Sequence, residues 1–277
     1  AQISILEGQT MKVITTERIP IKIWTDTIED SALEQAKNLA NLPFAQEWVA
    51  IMPDTHLGYG MTIGGVIATD RVVIPNAVGV DIGCGMKARK TNLTDIDKET
   101  LEKILNQIQR DVPTGFSHHG KDQEISEELR EIVNQWNPPL GLVDGMAKQM
   151  GTLGGGNHFI EIQYVSEVFD DETAKVFGLE KEQLVIMIHC GSRGFGHQIA
   201  SDYIKLMEDE YGFENLPDRQ LTNAPIKSEL GKKYYKAMCA AANFAFCNKQ
   251  VLTHFTREVM KKFFPDFKAE VVYDICH

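Results

Sequence analysis

At 277 residues, with 39 acidic against 28 basic side chains and a formal net charge of −11, the chain can bury a full core and is too acidic for a broad, non-specific polyanion surface. Its hydrophobic fraction of 43% is that of a globular protein, and no apolar stretch approaches the ~20 residues that span a bilayer. Five cysteines with no even framework, and a first segment without the basic and apolar regions of a signal peptide, point to a reducing, cytoplasmic setting.

Taken in chain order, Lys12-Val13-Ile14-Thr15 and Ile21-Lys22-Ile23-Trp24 alternate with period two and predict strands. Ser31 to Leu42 predicts a helix with Leu33, Ala36, Leu39 and Ala40 on one face and Pro43 just beyond. Val49 to Met52 is a short buried strand, and Gly64 to Ala68 and Val72 to Ile74 read as strands around a turn. Thr94 to Arg110 opens on capping residues and spaces Leu101, Ile104, Leu105 and Ile108 helically, after which Pro113 to Asp122 is a loop. Leu184 to His189 is a buried strand that ends on a histidine. His197 to Tyr211 predicts a helix with Ile199, Tyr203, Leu206 and Met207 inward. Ser228 to Phe264 is one long helix or a broken pair, with Cys239 and Cys247 as core thiols and His254 as a partly buried structural histidine. Val271 to Ile275 is the last strand. No repeat or linker interrupts the chain, and the strands and helices do not alternate as a doubly wound or barrel fold requires. The expectation is therefore one α+β domain over residues 1–277, with stacked β-sheets and peripheral helices.

The chemistry concentrates in glycine-bounded bends. Val80-Asp81-Ile82-Gly83-Cys84-Gly85-Met86 places a carboxylate and a thiol three residues apart. A divalent cation between Asp81 and Cys84 would relieve their repulsion; the plainer reading is a turn-capping carboxylate and an inert thiol. His158, His189 and His277 sit in similar glycine-rich or strand-like settings, which gives a mixed hard and soft ligand set for one or two transition metals. Gly151 to Glu161 looks like a phosphate cradle, yet it lacks the Lys-Ser/Thr ending of a P-loop and the spacing of a dinucleotide fingerprint. Asn157, His158 and Glu161 follow it with an amide, an imidazole and a carboxylate, and Phe159 would pack on the other face from His158. Arg193, between glycines, could fork onto a phosphate or form a surface salt bridge. Asp54 and His56 alternate along an extended segment and are a candidate pair, or an Asx turn beside a surface histidine. His118 and His119 read as solvent-exposed, His197 as a cap or packing residue, and Lys232-Lys233 and Lys261-Lys262 as solvated helix faces.

Together, Met52 to Gly65, Val80 to Met86, Gly151 to Glu161, His189 to His197 and Val272 to His277 closely resemble the RtcB family of RNA-splicing ligases. The resemblance implies an RtcB-like fold and joining of RNA 2′,3′-cyclic phosphate or 3′-phosphate ends to 5′-hydroxyl ends, in tRNA splicing or RNA repair. It implies GTP and two Mn(II) ions, with Cys84 bridging the metals, Asp81 and His158 completing one site, and His189 and His277 the other. Asn157 and Arg193 would hold phosphate groups, Phe159 and Glu161 would lie near the guanylate, and Asp54 falls in a matching motif. The implied chemistry opens a cyclic phosphate and forms a guanylyl-histidine. The guanylyl group then moves to the RNA 3′-phosphate, and the 5′-hydroxyl expels GMP. Tracing the motifs, the nucleophilic histidine and much of the guanine pocket belong to a C-terminal part of the family beyond the motif ending at His277, and no histidine here matches that nucleophile. The implied partners are RNA (tRNA halves or broken ends) and an archease activator. The other readings of the ligand set are a metal-dependent cyclic phosphodiesterase and a non-catalytic metal-binding fragment.

Overall fold

The computed structural model describes residues 3–5, 11–123 and 142–276. They form two compact units, one drawn from within residues 1–80 and 197–239, the other from within 81–196 and 240–276. Both are mixed α+β, as expected.

The first unit is built on a five-stranded sheet of β1 (Ile3–Ile5), β2 (Lys12–Ile14), β3 (Ile21–Ile23), β4 (Ala45–His56) and β5 (Ile63–Thr69), in that order. Every neighbouring pair is antiparallel except β3 and β4, which run parallel with Ile21 opposite Val49 and Ile23 opposite Ile51. A parallel pair needs a crossover, and helix α1 (Asp30–Ala40) supplies it. Its apolar stripe of Ala36, Leu39 and Ala40 closes a core with Ile21, Ile23, Val49 and Ile51, all buried. The strand predicted at Val49 to Met52 is the centre of the longer β4.

One pairing differs from the sequence reading. The segment after β5 is only the two-residue β6 (Val72–Val73), and it pairs with β10 (Ala224–Pro225), not with β5. Pro75 ends its extension by starting the short helix α2 (Pro75–Val78). The intervening turn is fixed instead by Thr69 Oγ1 donating to the Val72 carbonyl at 2.6 Å.

The second unit holds a four-stranded antiparallel sheet of β11 (Ala269–Cys276), β7 (Gly85–Thr91), β9 (Leu184–Cys190) and β8 (Phe159–Tyr164), in that spatial order. Helix α3 (Lys98–Asp111) begins later than the sequence suggests, because Asp97 is the cap, accepting from the Thr100 N–H at 2.9 Å. Its Ile104 and Ile108 pack with Ile186, Ile188, Val259, Met260 and Phe267. Helices α4 (Leu142–Gln149) and α5 (Asp171–Phe177) complete the peripheral elements of this unit.

Helices α6 (Arg193–Tyr211) and α7 (Glu229–Phe263) contribute residues to both units, and α7 is one unbroken helix. Along α6, Ile199, Tyr203 and Met207 are buried as expected, whereas Leu206 is exposed. Along α7 the buried face runs through Ala241, Ala245, Asn248, Leu252 and Thr256. Cys247 and His254, seven residues apart, share the opposite face and are exposed, so Cys247 is not the core thiol and His254 not the partly buried histidine that the sequence suggested. Cys239 is half-buried. No helix among the described residues is long and apolar enough to cross a membrane.

Candidate metal centre

The register of the four-stranded sheet gathers the candidate ligands. In β7 and β9, Gly85 lies opposite Cys190 and Met86 opposite His189; in β8 and β9, Phe159 lies opposite His189. The entry to β7, the entry to β8 and the exit of β9 therefore share one end of the sheet. Cys84 stands at the first, His158 at the second and His189 at the third. Asp81 reaches the same end because a tight bend, closed by the Cys84 N–H on the Asp81 carbonyl at 2.8 Å, folds it back over Cys84. Gly83 permits that bend at φ 76°.

The side chains converge. Cys84 Sγ lies 3.2 Å from His189 Nε2 and 3.4 Å from His158 Nε2. The three donor atoms are all within 4.8 Å of one another. Asp81 Oδ2 is 3.0 Å from His158 Nε2, and Asp81 Oδ1 accepts from Ser192 Oγ at 3.3 Å. His189 Nδ1 donates to the Asn157 carbonyl at 2.9 Å, which leaves its Nε2 lone pair facing Cys84. This is the arrangement by which a ligating imidazole is oriented from its far nitrogen. Two glycines make room for it: a Cβ on Gly154 would overlap His158 Nδ1, and a Cβ on Gly191 would overlap the Asp81 carboxylate.

The electrostatics favour a cation. Burial pushes the Cys84 thiol up, partly opposed by its hydrogen bond with His158. Burial also disfavours charge on His158, but its hydrogen bonds with Asp81, Cys190 and Cys84 outweigh this and carry the imidazole up to about 11. A thiol, two imidazoles and a carboxylate gathered in this way are a donor set whose like-charged sulfur and oxygen a divalent ion can neutralise. The sulfur-to-nitrogen separations are close to the ~3.5 Å expected of tetrahedral neighbours around one small cation. The residues fit a metal ion.

The other candidates separate. Arg193 is half-buried and at φ 59°, so it opens α6 in a left-handed turn four residues before the predicted helix start. Its Nε donates to Thr152 Oγ1 at 3.2 Å and its Nη2 to the Gly115 carbonyl at 2.7 Å. Both partners are neutral, so neither cancels the charge of the guanidinium, and the arrangement is not a surface salt bridge. Phe159 packs edge-on against His189 with ring centroids 5.4 Å apart. Asn157 and Glu161 are exposed, the latter accepting from Gln163 Nε2 at 2.6 Å. Asp54 belongs to the first unit, exposed near the end of β4, where its main-chain carbonyl meets His56 Nδ1 at 2.8 Å. His277 lies outside the described residues. His118 is exposed, but His119 is half-buried against Phe255 and hydrogen-bonds the Gly151 carbonyl at 3.1 Å, contrary to the exposure expected for both.

The fold and this centre define an α+β protein with a Cys/His/His cluster, beside Asp81, that could hold a metal at one end of an antiparallel sheet. The chain belongs to the RtcB family: the family model described as tRNA-splicing ligase RtcB matches residues 35–139 and 141–277. It is 39% identical to the tRNA-splicing ligase RtcB of Methanococcus maripaludis over 94% of this chain and 64% of that protein. It is 38% identical to the tRNA-splicing ligase RtcB of Pyrobaculum aerophilum, over 94% of this chain and 63% of the relative. The RNA-splicing ligase RtcB homolog 2 of Entamoeba dispar is 38% identical over 89% of this chain and 55% of its own length. The chain thus spans a little under two thirds of the length of the curated archaeal relatives it matches.

Proposed function

We propose that this chain serves an RNA ligase that joins 2′,3′-cyclic phosphate or 3′-phosphate ends to 5′-hydroxyl ends, using GTP and two Mn(II) ions. The observation that carries the proposal is the convergence of Cys84, His158 and His189 beside Asp81 in a chain of the RtcB family. Asp81, Cys84 and His158 would hold one ion, and Cys84, His189 and His277 the other, with the sulfur shared. When bound, such ions supply positive charge to the crowded phosphate oxygens of an in-line displacement.

The chain's own residues do the rest. Hydrogen bonding by the Asn157 carbonyl keeps His189 Nε2 available as a donor atom. The Arg193 guanidinium, anchored through Nε and Nη2 on neutral partners, retains its charge for a phosphate group, with the exposed Asn157 amide as a second donor. Phe159 and Glu161 are the residues assigned to the guanylate, and Asp54 is retained as a catalytic candidate. GTP would contribute the guanylyl group that turns the RNA 3′-phosphate into a competent electrophile; no histidine of this chain is assigned as the guanylylated nucleophile. An archease activator, a single catalytic domain and a cytoplasmic site of action belong to the same proposal.

The test is ligation of RNA with a 3′-phosphate end to RNA with a 5′-hydroxyl end, by the polypeptide that contains this chain, with GTP and Mn(II). Ligation should require both additions and be abolished by Cys84→Ala together with Mn(II) binding. Ligation retained by Cys84→Ala would remove the basis of the assignment.

A further inference from the structure

We infer that Asn248, midway along α7, is a positioning residue for the metal centre: its single amide ties together the two segments that deliver the two imidazoles. The inference rests on the metal-binding reading proposed above. Asparagine has no intrinsic reason to occupy the middle of a 35-residue helix, where its side chain competes with the backbone for hydrogen bonds. Here it is fully buried and bonded on both sides. Oδ1 accepts from the Gly151 N–H at 2.7 Å. Nδ2 faces the Thr152 carbonyl at 3.2 Å, the Gly191 carbonyl at 3.3 Å and Cys190 Sγ at 3.2 Å.

The positions of those partners matter. Gly151 and Thr152 open the glycine-rich segment whose far end carries Asn157 and His158. Cys190 and Gly191 directly follow His189, and Gly191 abuts Asp81. One buried amide therefore braces the segment that presents His158 against the strand end that presents His189, beside the direct bond from His189 Nδ1 to the Asn157 carbonyl. The next two residues of the helix reach the other strands. Lys249 Nζ pairs with Asp274 of β11 at 2.9 Å, and Gln250 Oε1 accepts from Lys87 of β7 at 2.7 Å. Of these three helix residues, Asn248 is the one that bonds both imidazole-bearing segments. Its removal would leave the buried Gly151 N–H and the buried Thr152 and Gly191 carbonyls without this partner, and the two segments would lose their common anchor.

Co(II) is the probe, titrated into the full chain and followed by its thiolate charge-transfer and d–d absorption, alongside the melting temperature without metal. Asn248→Ala should bind Co(II) about 10–100-fold more weakly than the unaltered chain, with altered d–d bands. Leu39→Ala, a core truncation on α1 of the first unit whose cluster includes none of these segments, should lower the melting temperature and leave Co(II) affinity and bands unchanged. If Asn248→Ala does not fold, Asn248→Asp takes its place. It keeps an acceptor for Gly151 and loses the donors, so weaker binding is again expected. Unchanged affinity and bands in a folded Asn248 variant, or an equal loss in Leu39→Ala, would overturn the inference. Absence of Co(II) binding by the unaltered chain would overturn the metal centre itself, and the inference with it.

Discussion

The two units solve the same packing problem with different materials. The first closes its mixed sheet with Ile, Val, Leu and Ala, and the charged groups near it stay at the surface. The second buries Lys87, Arg89, His189, Asn248 and Lys249 in and around its sheet. Lys87 and Lys249 share Asp274 at 3.1 and 2.9 Å, and burial lowers the Lys87 ammonium despite that carboxylate. Apolar residues of similar size would fill such space at less desolvation cost. The difference teaches that, among the described residues, buried charge is concentrated in the unit that carries the ligand cluster.

The contrast can be broken most forcefully at the shared thiol. Cys84→Ser should weaken Mn(II) binding beyond the ~100-fold range of supporting-residue changes, measured by calorimetric titration, while the melting temperature of the metal-free chain changes little. Next in size are the glycines that give the ligands room. Gly154→Ala and Gly191→Ala should each weaken Mn(II) binding by about 10-fold or more, because the added methyl displaces His158 or Asp81. A change in the first unit should do the reverse. Leu39→Ala, in its fully buried core, should cost about 2–5 kcal/mol in denaturant unfolding and leave the Co(II) spectrum of the folded protein intact.

The smallest effect belongs to a surface pair of the first unit. Arg219 Nε and Nη2 each donate to Glu208 at 2.9 Å and hold its carboxyl below the ordinary glutamate range. A depressed carboxylate stabilises the fold above its unfolded pKa and loses that contribution as pH falls through the folded value. Glu208→Gln should therefore lower the melting temperature slightly at neutral pH, and the gap should close below about pH 4.

Much of both units was legible because period and punctuation agreed. Leu39 and Ala36 gave α1 its stripe, Pro43 marked its end, and the run into His189 read as a buried strand. The convergence of Asp81, Cys84, His158 and His189 was legible because all four stand in or beside glycine-flanked strand ends, where sequence places side chains that meet. Less was legible where tertiary context decides. Val72 and Val73 find their partner about 150 residues away at Ala224 and Pro225, and two-residue strands carry no pattern. Arg193 begins α6 from a left-handed conformation that no local signal announces. Asn248 carries no sequence signal that separates it from the other polar residues of a long helix. Only the loop and strand packed against that helix show that the residue is enclosed, and a single sequence does not reveal which face of α7 they cover.

The most direct test of the metal centre is anomalous diffraction at the manganese edge from crystals grown with Mn(II). A peak bonded to Cys84 Sγ, with Asp81 and His158 or His189 in its coordination sphere, is the expected result. Manganese bound elsewhere, or a Cys84 sulfur with no metal at saturating Mn(II), would contradict it.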